Sequence, residues 1–176
     1  MPAALVDAGP LVAVFGRKQP NAAHYHALFK QASDELWSLA TTWPCVVEAS
    51  YLVDPPQRYT LLRWLGSGAL SVFPFGQETL EGMVELMHRY TQTPRTEMDL
   101  ADASLVWLAA DTGVNRIMTM DKRDFSRYRL PDGRPYIIME YLDGAPLHAL
   151  LRGGRIPLAA SARIACDVLD ALGAAH

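Results

Sequence analysis

Four carboxylates stand at the margins of apolar segments, where an acidic side chain is unusual. They are Asp7 after the apolar residues 3–6, Glu48 within the apolar run 45–53, Asp102 before the apolar residues 103–108, and Asp121 after residues 117–120. Carboxylates are rarely buried unless they are paired or bind a metal ion. We therefore expect the four to share one acidic pocket, which would repel itself without a divalent cation. Ligands that are all oxygen atoms favour Mg²⁺ or Mn²⁺ over Zn²⁺.

Each of these acids also fits an ordinary structural role when it is considered alone. Asp7 and Asp121 can occupy helix caps or turns, and Asp102 can complement a helix dipole. Glu48 can lie on a solvated helix face. Asp99 precedes Asp102 by three residues, so the two share one helix face. The order and context of the whole set favour the shared pocket over four separate structural roles.

The segments around the acids predict an α/β fold. Predicted strands cover residues 3–6, 35–40, 69–73 and 115–120, and predicted helices cover residues 21–32, 42–53, 57–65, 77–90 and 99–113. This alternation predicts a central, mainly parallel sheet with helices on both faces, a three-layer α/β/α arrangement. Ligands of such sheets bind at the carboxyl ends of the strands, where Asp7 and Asp121 are predicted to lie.

The overall composition indicates a globular chain without a global signal for nucleic-acid binding. The 176 residues are 50% hydrophobic and 20% charged, with a net charge of −3 and a pI of about 5.9. An anionic substrate would therefore need a local basic patch together with a metal ion. Two cysteines without a disulfide pattern favour a reducing compartment. We expect neither a signal peptide nor a membrane span, and the predicted location is cytoplasmic.

Four stretches of the sequence resemble segments of PIN-domain ribonucleases, in particular the VapC-type toxins of bacterial toxin–antitoxin pairs. The stretches are LVDAGPLVA, TTWPCVVEASYL, MDLADASLVWLA and RIMTMDKRDFSRYRL, and the resemblance covers about residues 3–134. It implies that the acidic ligands are Asp7, Glu48, Asp102 and Asp121, with Asp99 as an accessory acid. None of the four is replaced in this sequence.

The resemblance also implies an activity and partners. One or two Mg²⁺ or Mn²⁺ ions would bind the carboxylates and the scissile phosphate of RNA, and an activated water would attack phosphorus. Cleavage would leave a 5′-phosphate and a 3′-hydroxyl. The implied partners are a small antitoxin, whose tail blocks the acidic pocket, and a second copy of the chain in a homodimer.

Contacts with the substrate are less sharply indicated by the sequence. Thr119 lies near Asp121 and could bind a ligand or water, although a strand threonine needs no such role. Arg17 follows a short first helix, and Lys122 and Arg123 follow Asp121 directly. Either basic group could hold phosphates, or it could be an ordinary solvated surface.

The sequence changes character after Arg134. The stretch PYIIMEYLDGAPLHALLRGGRIPLAASARIACDVLDALGAAH resembles the hinge strand and following helices of a bacterial serine/threonine protein kinase. We therefore predict a PIN-like nuclease domain at residues 1–134 and a kinase-fragment-like extension at residues 135–176, with a strand and helices near residues 147–151 and 158–172. The glycine-rich phosphate loop, its lysine and the Asp-Phe-Gly motif are absent from this stretch, so no active kinase is expected. Residues 136–139 could also form the last strand of the PIN-like sheet.

The leading prediction is a Mg²⁺- or Mn²⁺-dependent endoribonuclease that acts as a toxin. The alternative is a catalytically inactive PIN scaffold that binds RNA or an antitoxin. An aspartyl-nucleophile phosphohydrolase is disfavoured, because that chemistry usually needs a second aspartate at the position of Gly9.

Overall fold

A computed structural model describes residues 3–19, 21–92, 96–139, 151 and 156–174, with side chains described as far as residue 169. The chain divides into two units, Met1–Tyr141 and Leu142–His176.

Five short strands form one sheet in the first unit. They are β1 (Ala3–Val6), β2 (Ser38–Thr42), β3 (Ser71–Phe73), β4 (Arg116–Met118) and β5 (Ile137–Met139), in the spatial order β3-β2-β1-β4-β5. All four pairings between neighbouring strands are parallel. Parallel neighbours need crossover connections, which the helices between the strands supply. The predicted α/β fold with a parallel sheet flanked by helices is confirmed.

Seven helices surround this sheet within the described part of the first unit. They are α1 (Ala8–Phe15), α2 (Ala22–Asp34), α3 (Trp43–Leu52), α4 (Pro55–Gly66), α5 (Leu80–Tyr90), α6 (Leu100–Thr112) and α7 (Lys122–Phe125), with a 3-10 turn at Gln77–Thr79 before α5. α3 begins directly after β2, one residue separates β1 from α1, and three residues separate β4 from α7. The start of each of these helices therefore lies at the same edge of the sheet.

Helix α6 is the most deeply packed of these helices. Its buried residues are Ala101, Ala103, Ser104, Leu105, Val106, Leu108 and Ala109. Small alanines on several sides let neighbouring elements approach closely, and the buried Thr42 and Ser104 hydroxyls lie 2.6 Å apart, linking α3 to α6. This packing fixes the start of α6, where Asp99 and Asp102 lie.

Some predicted boundaries differ from the observed ones for local reasons. β2 begins at Ser38 rather than residue 35, because α2 runs to Asp34 and Leu36 has a positive φ of 56°. A left-handed backbone conformation cannot continue a strand. α7 is a single helical turn that was not among the predicted helices, and the Asp121 side chain caps it.

The strand predicted at residues 136–139 is observed as β5, and it completes the sheet beside β4. Ile138 pairs with Ile117, and Met139 pairs with Met118. The first unit therefore extends past Arg134, where the two sequence resemblances meet. The predicted division into residues 1–134 and 135–176 stays a prediction.

In the second unit, the predicted helix at residues 158–172 is observed as α8 (Leu158–Ala174). An open apolar groove is lined by Leu151, Ile156, Ser161, Ile164, Ala165, Val168 and Leu169. The helix predicted near residues 147–151 lies outside the described residues except for Leu151. Among the residues described, no helix has the length and apolar character that crossing a bilayer requires.

Shortening the chain tests the role of β5. A chain that ends after Tyr141 should keep the unfolding temperature of the first unit. A chain that ends after Arg134 should lose about 3 kcal/mol of stability, because the apolar surface of β5 and Tyr136 is removed and the edge of β4 is uncovered. Urea unfolding of both chains measures the difference, and equal stability would show that β5 is dispensable.

Candidate active site

Asp7 is the most enclosed of the predicted site residues. It is 8% exposed and caps α1, and its Oδ1 accepts a hydrogen bond from the Ala8 N–H at 2.6 Å. Its own N–H donates to the Met118 carbonyl at 3.0 Å, which extends the pairing of β1 with β4 by one residue. Asp7 is thus fixed by both its backbone and its side chain at the carboxyl edge of the sheet.

Thr119 joins Asp7 to the segment that carries Asp121. Its hydroxyl donates to Asp7 Oδ2 at 2.7 Å and accepts from the Asp121 N–H at 2.9 Å. The Thr119 carbonyl accepts a hydrogen bond from the buried Tyr25 hydroxyl at 2.8 Å. Thr119 is itself 1% exposed, so it lies beneath the acids. Its predicted contact with substrate stays a prediction.

The two acids of α6 are linked at the start of the helix. Asp99 is the exposed cap residue, and its Oδ1 accepts from the Asp102 N–H at 2.8 Å. Asp102 is half-buried, and its Oδ2 accepts a hydrogen bond from the Tyr128 hydroxyl at 2.8 Å. The backbone at the helix start therefore holds Asp99, and a residue far away in the sequence holds Asp102.

Glu48 lies on α3, and Asp121 lies at the start of α7. Glu48 is half-buried on α3, between the exposed Val47 and the buried Ala49. Asp121 is exposed and caps α7, where its Oδ1 accepts from the Asp124 N–H at 2.9 Å.

The charges of these five acids act on one another. Burial raises the pKa of Asp7 to about 6, and the charges of Asp99 and Asp121 add to the rise. Burial raises the pKa of Glu48 to about 7, again with Asp99 and then Asp7 contributing. Burial raises the pKa of Asp102 to about 8, followed by the charges of Asp7 and Asp99, whereas the Tyr128 hydrogen bond opposes the rise. Burial and neighbouring charges thus raise the pKa of three of these acids, and the predicted shared pocket stays a prediction.

The pocket suits a hard divalent cation in its donor chemistry and its charge. All five side chains offer oxygen ligands, and their mutual repulsion is the kind of strain that a cation relieves. Within the described ranges, however, no three or more His, Cys, Asp or Glu side chains are grouped closely enough to hold a metal ion.

The predicted basic residues occupy two separate places. Arg17 is exposed and lies 3.9 Å from Asp54, the residue that precedes α4. Lys122 and Arg123 are exposed on α7, directly after Asp121, and Arg123 lies 3.6 Å from Asp124. Lys122 and Arg123 thus lie on the same short helix that Asp121 caps.

Tyr128 also contacts this group of acids, although the sequence did not indicate it. It contacts Asp102 from 26 positions away. No spacing or motif connects the two residues, so only the fold brings them together.

The comparisons with known proteins concern both parts of the chain. The fold resembles that of the Mycobacterium tuberculosis toxin VapC20, a Sarcin-Ricin loop cleaving toxin, with a TM-score of 0.59 over 69% of this chain and 92% of that chain. The two sequences are 13% identical, so this likeness shows a shared PIN-like α/β fold. No protein-family profile matches the chain.

A relative by sequence is the serine/threonine-protein kinase Pkn1 of Myxococcus xanthus. It is 34% identical over 125 residues, which cover 67% of this chain and 16% of the kinase. The chain thus spans about a sixth of that kinase's length. The aligned stretch is longer than residues 135–176, so the likeness to this kinase also takes in residues before Pro135.

The raised pKa of Asp7 predicts a pH-dependent stability in the absence of cations. The folded pKa of about 6 exceeds the ordinary value of 3.8, so the folded state binds this proton more tightly than the unfolded chain does. The contribution of Asp7 to the free energy of unfolding is therefore fully present below pH 4 and is lost as the pH rises through 6. The loss at pH 8 amounts to about 3 kcal/mol for a shift of roughly two units.

The substitution Asp7→Asn should remove this loss. In EDTA at pH 8 the variant should be more stable than the wild type by about 2 kcal/mol, since the weakened hydrogen bond to Thr119 offsets about 1 kcal/mol of the gain. At pH 4 the advantage should turn into a deficit of about 1 kcal/mol, because the hydrogen bond is still weakened and no repulsion is relieved. Urea unfolding at both pH values measures it, with Asp111→Asn on the exposed end of α6 as the control. A less stable Asp7→Asn at pH 8 would contradict the assignment of Asp7 as a strained carboxylate.

Proposed function

We propose that this chain is a Mg²⁺- or Mn²⁺-dependent endoribonuclease that hydrolyses phosphodiester bonds of RNA. The observation that supports this most strongly is the electrostatic coupling of five acids at the carboxyl edge of a PIN-like parallel sheet. A protein gains nothing in stability from such an arrangement, because each added charge raises the energy of the others. Repulsion that is maintained at one edge of the sheet is therefore best explained by a cation-dependent activity.

The proposed roles follow from how firmly each acid is held. Asp7 is fixed by Ala8 and Thr119, so it is the rigid ligand of the set. Asp102 and Asp121 would complete the ligand set from the starts of two helices, with Asp99 as an accessory acid. Glu48 has the longest side chain and can adjust its carboxylate to the cation and substrate. When bound, Mg²⁺ or Mn²⁺ would neutralise the scissile phosphate and lower the pKa of an attacking water.

The charge of the pocket makes the cation necessary for RNA binding as well as for chemistry. An RNA phosphate would be repelled by the acids until their charge is neutralised. Lys122 and Arg123 lie beside Asp121 on α7, which makes them the favoured phosphate contacts. Arg17 is proposed as a second, more distant contact.

The proposed cellular role is that of a toxin in a type II toxin–antitoxin pair. Its support is the shared fold with VapC20, which is described as a toxin that cleaves the Sarcin-Ricin loop. The corresponding partners would be a small antitoxin and a second copy of the chain, in the cytoplasm. We propose that the kinase-like residues 135–176 do not form an active kinase.

The decisive experiment is cleavage of end-labelled RNA by the purified chain. The substrates should include a hairpin with the Sarcin-Ricin loop sequence and an unrelated hairpin of equal length. Cleavage should require Mg²⁺ or Mn²⁺, stop in EDTA, and fall by about 100-fold in Asp7→Asn, since a metal ligand matters at least as much as the groups that support it. The control variant Asp111→Asn should cleave like the wild type. Cleavage that persists in Asp7→Asn would place the activity elsewhere or in a contaminant.

A second candidate function is an inactive scaffold that binds RNA or an antitoxin. The specific observation in its favour is that the described carboxylates do not lie within one coordination group. In that case the chain would bind RNA in Mn²⁺ but leave every tested hairpin intact.

The contribution of Arg17 to RNA binding can be distinguished from that of Lys122 and Arg123 on α7 by single substitutions. Arg123→Ala should raise the KM about fivefold and reduce the slope of log affinity against log salt by about one, since one phosphate contact is lost. Arg17→Ala should have a smaller effect on both quantities. A larger effect of Arg17→Ala would move the RNA path away from α7.

A further inference from the structure

Tyr128 lies beneath the acidic pocket and touches one of its acids directly. The side chain is 1% exposed, and its hydroxyl donates to Asp102 Oδ2 at 2.8 Å. We propose that Tyr128 is a positioning residue, which holds Asp102 in the orientation that the divalent cation requires. This inference rests on the proposed metal-dependent nuclease function.

The aromatic ring of Tyr128 is held from two sides. It packs edge-to-face on Phe125, with centroids 5.1 Å apart, and on Tyr90, with centroids 4.9 Å apart. A buried ring between two such neighbours has little freedom to swing. The position of its hydroxyl is therefore fixed by packing and does not depend on the hydrogen bond to Asp102 alone.

The backbone beside Tyr128 is anchored as well. The Arg127 guanidinium donates to Asp124 Oδ1 and to the Tyr90 carbonyl, each at 2.8 Å. The Arg129 N–H donates to the Tyr90 hydroxyl at 3.0 Å. These bonds attach the segment after α7 to the end of α5. The position of Tyr128 therefore depends on hydrogen bonds that involve neither β1 nor α6.

This anchoring has a direct consequence for Asp102. The Tyr128 hydroxyl donates to Oδ2, which restricts rotation of the Asp102 carboxylate and leaves the other oxygen, Oδ1, free of this donor. Partners of this kind typically change metal affinity by about 10- to 100-fold when they are removed. Thr119 holds Asp7 in a comparable way, so a buried hydroxyl donates to each of these two acids.

The test is the Mn²⁺ affinity of the full chain without RNA, measured by calorimetry or by electron paramagnetic resonance. Tyr128→Phe removes one oxygen atom and keeps the ring between Phe125 and Tyr90. It should weaken Mn²⁺ binding about tenfold while the unfolding temperature in EDTA stays close to that of the wild type. In cleavage assays the Mg²⁺ concentration for half-maximal rate should rise similarly, and the rate at saturating Mg²⁺ should change far less.

The matched control is Tyr136→Phe in the same aromatic cluster. Tyr136 packs on Phe125 at a centroid distance of 5.8 Å, and its buried hydroxyl has no hydrogen-bond partner in the described part of the chain. Its loss should leave Mn²⁺ affinity within about twofold of the wild type.

Three outcomes would overturn the inference. One is wild-type Mn²⁺ affinity in Tyr128→Phe. The second is equal weakening in both Tyr→Phe variants, which would assign the effect to packing of the cluster. The third is a wild-type chain that binds no Mn²⁺, which would overturn the proposed nuclease function together with this inference. The wild-type titration distinguishes the third outcome from the first two.

Discussion

Mutual repulsion among carboxylates that are partly removed from water is the constraint on which the rest of this structure depends. Burial alone raises the pKa of Asp7, Glu48 and Asp102, and neighbouring charges raise it further. An unsupported group of this kind would rotate its side chains apart or open the fold. The elements around the pocket are therefore best understood by how they oppose that tendency.

Two kinds of donor oppose it. Backbone N–H groups at helix starts bind the carboxylates of Asp7, Asp99 and Asp121, using donors that a helix end leaves without partners. Buried hydroxyls of Thr119 and Tyr128 bind Asp7 and Asp102 from below. The donors orient the acids without cancelling their charge. The proposed cation would therefore meet carboxylates that these donors already hold in place.

The sequence was sufficient for the α/β architecture with its parallel sheet. Alternating apolar and amphipathic segments predict a parallel sheet, and a parallel sheet gathers residues such as Asp7 and Asp121 at one edge. Details that depend on single backbone angles were not predictable, as at Leu36, whose left-handed conformation delays the start of β2. Tyr128 was missed for a different reason, because its contact with Asp102 joins distant segments through packing that leaves no periodic pattern. Whether the acids act as ligands stays a prediction.

The parallel pairing of β5 also fixes where the chain leaves the sheet. Met139 is level with Met118, and Met118 is level with Val6, the residue before Asp7. The carboxyl end of β5 consequently lies at the same edge of the sheet as the ends of β1 and β4, so the register of this last strand is set against the strands that precede Asp7 and Asp121.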